Sequence, residues 1–203
     1  MAEARVGIVS ATKLMLAAVV LALGLSACGT DTTPGTISED DLPGSVEVDK
    51  VTHDDQAGQV TCSDVNDAED NYLMTPSENY DKDRRAAVTY ELSGSHFQSF
   101  SDSVWRLSNP QEAVDQVAAG LDKCVKADPD VYQRFDVEGY PDALGYTEEG
   151  GDPTPSYIRR ILVPLEDRVV IVTSRRQGGD DFTVAPEDVL KKAVDASVDA
   201  PKG

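Results

Sequence analysis

Three cysteines, Cys28, Cys62 and Cys124, and two histidines, His53 and His96, are the scarcest reactive side chains in this 203-residue sequence. Ser95-His96, followed by Ser99, Ser101 and Ser103, supplies the residue types for nucleophilic hydrolysis. That chemistry needs a nucleophile, a base and an orienting acid brought together. No nucleophile-elbow motif accompanies these residues, so a polar strand edge is the plainer reading. His53-Asp54-Asp55 is too short to complete a coordination sphere by itself and reads as a surface turn. Asp64-Val65-Asn66-Asp67-Ala68-Glu69-Asp70 begins like a calcium loop. It fails at the fifth position, where Ala68 stands, and at the sixth, where Glu69 replaces the turn glycine. Thr75 occupies the place of the bidentate glutamate. Phosphate-cradling and dinucleotide glycine motifs are absent, and so is any Cys-x-x-Cys or Cys/His spacing. The sequence therefore assigns no catalytic residue, no metal and no cofactor, and the expectation is a protein that is not an enzyme.

One cluster of charge has ligand chemistry. Arg159, Arg160, Arg168, Arg175 and Arg176 fall within residues 157–176, where Glu166 and Asp167 are the only acids. This segment is net +3 inside a chain of net charge −19. Guanidinium forks match carboxylate and phosphate well. Arg159, Arg160, Arg175 and Arg176 are thus candidate anion-binding residues, with an anionic ligand or envelope polymer as the partner. Strand alternation puts Arg159 and Arg160 on opposite faces, so one site cannot use them all. Internal pairing with the many acids is the competing reading.

The N-terminal segment has three parts. Arg5 and Lys13 give a positive start, Leu14–Leu25 is uncharged and mostly apolar, and Gly24, Ser26 and Ala27 precede Cys28. That order reads as a secretory signal peptide over residues 1–27. The alternative, a membrane-spanning helix, is disfavoured by length. The uncharged run Leu14–Ala27 is 14 residues, against about 20 needed to cross a bilayer. Leu25-Ser26-Ala27-Cys28 resembles the lipobox of bacterial prolipoproteins. The resemblance implies a diacylglycerol on the Cys28 thiol, cleavage just before it, and a lipid anchor at the outer face of the cytoplasmic membrane. Lipidation at Cys28 would leave Cys62 and Cys124, which an oxidising compartment permits to pair; two separate buried thiols are the alternative. Removing Glu3, Arg5 and Lys13 with the leader takes the net charge from −19 to −20. Nucleic acid is then an unlikely partner, because it selects cationic surfaces.

The remaining 176 residues suffice for one domain and a tail. Residues 28–41 read as a lipidated N-terminus and a flexible tether with a reach of roughly 20 Å. Residues 42–200 read as a single domain. Extended runs are expected at Ser45–Val51, Ala86–Leu92 and Phe97–Leu107, the last with a bulge because Phe97 and Phe100 are out of phase. Residues 52–72 read as acidic turns and 73–85 as a loop. A helix is expected over 110–127, capped by Ser108 or Asn109, with Pro110 in its first turn and Glu112 at capping-box spacing. Its apolar face carries Val114, Val117, Ala118, Leu121, Cys124 and Val125. Shorter strands follow at Val131–Val137 and Ala143–Thr147, with Gly139–Asp142 as a turn between them and a loop over Glu148–Pro155. Tyr157–Leu165 and Arg168–Ser174 form a hairpin, in which Val169–Val172 reads as a strand covered on both faces. Pro186 opens a last helix with Val189, Leu190, Ala193 and Val194 on its apolar face. The order predicts an α+β domain: a mainly antiparallel sheet with two principal helices packed against it.

Several of these features together resemble a group of actinobacterial lipoproteins with a sensor-like domain, similar to the extracellular domain of a mycobacterial receptor serine/threonine kinase. The residues that carry the likeness are Asp41-Leu42-Pro43-Gly44, Trp105 before Ser108-Asn109-Pro110, Cys124, Ala143-Leu144-Gly145-Tyr146, the hairpin 157–174 and Pro186-Glu187. The resemblance implies a sheet-and-helix fold with a cleft and an extracytoplasmic binding or sensing role toward an unknown envelope ligand or protein partner. It carries over no catalytic residue. A secreted hydrolase of envelope material and a structural or chaperone-like envelope protein are the alternatives.

Overall fold

The computed structural model describes residues 36–37, 48–52, 60–74, 85–92, 98–150, 156–178, 185 and 187–199. Seven strands among them form one antiparallel sheet: β1 Val48–Thr52, β2 Arg85–Leu92, β3 Gln98–Arg106, β4 Tyr132–Phe135, β5 Leu144–Gly150, β6 Ser156–Pro164 and β7 Arg168–Gln177. Their spatial order is β1-β2-β3-β7-β6-β5-β4. Two meanders, β1–β3 and β4–β7, run toward each other and meet where β3 pairs with β7. The hairpin expected around Glu166-Asp167 is β6–β7, in unbroken register from Ser156–Gln177 to Pro164–Val169.

The helices lie on opposite faces of this sheet. On one face α2 (Pro110–Ala127) buries Val114, Val117 and Leu121 against Trp105, Leu144, Tyr146, Ile158, Leu162, Val169 and Ile171. On the other, α3 (Glu187–Asp199) buries Leu190, Ala193 and Val194 against Val88, Tyr90, Phe100, Val104, Ile161, Val163, Val170 and Val172. β7 explains why its apolar run is continuous. Val169 and Ile171 serve the first core, Val170 and Val172 the second, as strand alternation requires. Burying each such side chain contributes about 1.5–3 kcal/mol.

α2 starts and stops as its apolar period and Pro110 dictate, with Asp128 closing it through a hydrogen bond to the Cys124 carbonyl. The capping box is not made. Asn109 is the N-cap, but its side chain forms no cap hydrogen bond. The fold contains a third, short helix where acidic turns were expected. α1 (Ser63–Glu69) continues as a π-helical turn, Asp70–Met74. Val65, Glu69 and Leu73 are its buried stripe at spacing four. The Cys62 sulfur accepts the Val65 N–H at 3.4 Å and caps it. α1 crosses α2 at Gly120. A Cβ there would sit 2.5 Å from the Asp64 carbonyl oxygen, so only glycine allows the backbones to touch. One turn further along α2, Cys124 meets Cys62. The two are disulfide-bonded, with α-carbons 6.2 Å apart.

Other expectations shift. β2 and β3 pair without a break from Arg85–Trp105 to Leu92–Gln98, so Phe100 needs no bulge. It simply faces α3, and Phe97 lies outside the described residues. The irregularity falls instead between Val48 and Lys50 of β1. Glu148–Gly150, expected as loop, extends β5, with Glu148 fully buried. Thr36 and Ile37, inside the stretch expected to be a flexible tether, are docked. Ile37 is 1% exposed in the α3-side core, its N–H donates to Asp102 Oδ2 at 2.8 Å, and its carbonyl accepts the Tyr90 hydroxyl at 3.0 Å. These two residues therefore pack on the domain from within the stretch expected to be a tether.

Candidate functional site

Register sorts the four candidate arginines. Arg159 stands opposite Ser174 and Arg160 opposite Thr173, while Tyr157 faces Arg176 and Ile158 faces Arg175. Each Arg-Arg dipeptide therefore splits across the sheet. Arg159 and Arg176 form a diagonal pair on the α3 face, and Arg160 and Arg175 form another on the α1/α2 face.

The α3-face pair is committed to the fold. Arg159 Nη1 donates to the Ala185 carbonyl at 2.8 Å, and Ser174 Oγ accepts the Ala185 N–H at 3.0 Å. Arg176 Nη2 donates to the Gly178 carbonyl at 3.1 Å, with its guanidinium carbon 4.5 Å from the Tyr157 ring centroid. Arg168, on the same face, reaches the Val198 carbonyl at 3.1 Å, a cation at the C-terminal turn of α3.

On the opposite face Arg160 is buried and paired. Its Nη1 lies 2.8 Å from Glu69 Oε1, both side chains are nearly inaccessible, and Tyr146 Oη is at 3.5 Å. Burial pushes the Glu69 carboxyl above the usual carboxylate range, and the adjacent Arg160 charge opposes that push. Burial, the largest single influence, would lower the Arg160 pKa, but the charges and hydrogen bonds of Glu69 and Tyr146 together outweigh it and keep the guanidinium ionised. Tyr146, fully buried beside the pair, is pushed up first by burial. One strand over, Glu148 accepts the Thr61 N–H on both oxygens at 3.1 and 3.0 Å, and Thr61 shares a 2.7 Å hydrogen bond with the Tyr132 hydroxyl. Glu69 and Glu148 are the acids that sequence reasoning missed. Each sits at an inward position of a regular element, a signal visible only once that element is assigned.

Arg175 differs from the other three. It is half-buried and projects from the α1/α2 face beyond the apolar floor under α2. Its direct neighbours across the strands are Ser99 and Ile158; Ser101 and Ser156 lie on the diagonals, and Thr173 is next along β7. Ser101, Ser156 and Thr173 are 8%, 8% and 3% exposed. The serines of β3 thus lie at the middle of the sheet rather than on an edge, and their alternation with Phe100 and Asp102 was the sequence signal for a hydroxyl-bearing face.

The remaining candidates are placed as follows. Cys28, His53, Ser95 and His96 lie outside the described residues. The acidic run 64–70 is helix α1 and the start of the π-helical turn, not a loop, and among the described residues no group of three or more His, Cys, Asp or Glu is arranged to hold a metal. Trp105, Tyr90 and Tyr146 are core residues. No described helix is long and apolar enough to cross a membrane. No protein-family model matches the chain, and no curated protein matches it in sequence.

Proposed function

We propose that the chain is an exported lipoprotein, held by a lipid on Cys28 at the outer face of the cytoplasmic membrane, whose domain binds a ligand and catalyses no reaction. The Cys62–Cys124 bond is the observation that carries this reading. It supports an oxidising compartment. It also uses two of the three cysteines, leaving Cys28, at the end of the signal-like segment, as the one thiol for lipidation. A binding role is supported by the unspent Arg175 and its hydroxyl neighbours, and by the resemblance to sensor-like lipoprotein domains. Stable anchoring takes more than one acyl chain, since a single myristoyl chain binds only marginally. Mass spectrometry of the native N-terminal peptide is the test. Acylated Cys28 at the first position is the expected result, and an unmodified thiol on membrane-associated protein would overturn it.

A further inference from the structure

We infer that the hydroxyl-lined part of the α1/α2 face centred on Arg175 is a binding site for a small hydroxylated monocarboxylate, a sugar acid being the simplest case. The inference rests on the reading of the domain as ligand-binding and names the site and the ligand class. Among the described residues, four buried polar atoms on this part of the face have no hydrogen-bond partner: Arg175 Nε, Arg160 Nε, Thr173 Oγ1 and Ser156 Oγ; Arg159 Nε and Arg176 Nε on the opposite face lack one too, but there no unsatisfied buried hydroxyl joins them. Buried polar groups are nearly always satisfied, and leaving one unsatisfied is costly. Here several unsatisfied groups converge by register. Thr173 is next to Arg175 along β7, Ser156 is diagonal to Arg175, and Arg160 stands opposite Thr173.

Charge selects the ligand. Arg160 is neutralised by Glu69, which leaves Arg175 as the guanidinium on this face with no ion pair among the described residues. One fork fits one carboxylate. The acidity of the whole chain argues against polyanions. Serine and threonine hydroxyls both donate and accept. Ser99, Ser101, Ser156 and Thr173 therefore suit the hydroxyls of a polyol better than a bare anion, which only accepts.

Calorimetric titration of the full-length chain in non-ionic detergent, with glucuronate, glucose, acetate and inorganic phosphate as separate probes, tests this. Glucuronate should bind, and more tightly than the other three. Arg175→Gln should weaken glucuronate binding at least about tenfold, the scale of a charge-assisted hydrogen bond. Thr173→Val should weaken it severalfold while preserving shape, and Arg176→Gln, on the opposite face, should leave it unchanged. Where Arg175→Gln does not fold, Ser99→Ala and Ser156→Ala carry the same expectation. No glucuronate binding up to about 10 mM, tighter binding of phosphate, or equal weakening by Arg176→Gln would each overturn the site. Acylated Cys28 without glucuronate binding refutes this inference and spares the anchor; binding with unmodified Cys28 does the reverse.

Discussion

Replacing both bonded cysteines, Cys62→Ala with Cys124→Ala, isolates the energetic role of the cross-link. The bond closes a loop of sequence separation 62. Chain-entropy loss for that loop is about 14 cal/mol/K, or about 4.3 kcal/mol at room temperature. A cap is lost as well, because the Cys62 sulfur accepts the Val65 N–H; that adds up to about 1 kcal/mol. The expected destabilisation is therefore about 4–5 kcal/mol, against a whole-domain stability of about 5–15 kcal/mol. For a domain of this size the melting temperature should fall by roughly 8–20 °C. Guanidinium unfolding followed by far-UV circular dichroism measures it. Freed of the cross-link, the unfolded chain exposes more surface, so the denaturant slope should rise. Dithiothreitol should move the unmodified protein toward the variant and leave the variant unaffected. A loss below about 1 kcal/mol with an unchanged slope would refute the loop argument. It would mean that Gly120, not the bond, holds α1 on α2.

Gly120→Ala directly tests that crossing: a methyl 2.5 Å from the Asp64 carbonyl oxygen must push the helices apart, and overpacking of this kind costs about 1–3 kcal/mol by denaturant titration. Glu69→Gln leaves Arg160 charged, buried and unpaired and should cost about 3–5 kcal/mol, whereas Glu69→Leu combined with Arg160→Met should recover most of it; equal losses would refute a charge-based account. Asp195 is partly buried, which alone would raise its pKa, but the Lys191 ammonium and the Tyr140 hydroxyl bring it below the ordinary 3.8. With the folded pKa depressed, its contribution is present above the unfolded value and lost as pH falls through the folded one. Asp195→Asn should therefore flatten the stability slope only below about pH 3.9. Tyr140, pushed up to about 12 by burial and then by Asp195, should ionise at lower pH in that variant, as read by ultraviolet titration.

How much of this was legible follows from where the information lay. The extent and buried face of α2 were readable, though not its cap, because its period, its proline and Asp128-Pro129-Asp130 after it are local. β7 was readable as doubly covered because four consecutive apolar residues leave no polar face. α1 was not. Its stripe contains Glu69, and an acid at a core position breaks an apolar period unless its partner is known. That partner, Arg160, is 91 positions away and becomes a neighbour only through the sheet. Ile37 was hidden for a similar reason. It is one apolar residue in a polar stretch, and its partners Tyr90 and Asp102 lie 53 and 65 positions on. In the arginine cluster, sequence alternation divided Arg159 from Arg160. It could not show that register would give each face one diagonal pair, or that the Arg175 side chain alone of the four would keep no hydrogen-bond or ion-pair partner among the described residues.

The junction between the two meanders has a kinetic consequence. Within the two meanders, β2–β3, β5–β6 and β6–β7 pair strands that follow one another closely in the chain, and such hairpins form within about 1–10 μs. The β3–β7 junction instead brings together residues from Arg106–Arg168 to Gln98–Arg176, which are 62 to 78 positions apart. Closing separations of that size before any contact rewards them is slow. Until β7 arrives, β3 is an open edge lined with Phe100, Val104 and Trp105, which invites pairing with another chain. A chain delivered N-terminus first presents that edge before the strand that covers it exists. The Cys62–Cys124 cross-link does not remove the hazard, because both cysteines precede β4 and the bond covers a face rather than the edge. Substitutions that slow the assembly of β4–β7 should therefore appear as aggregation through β3, with little change in the melting temperature of the molecules that complete the sheet.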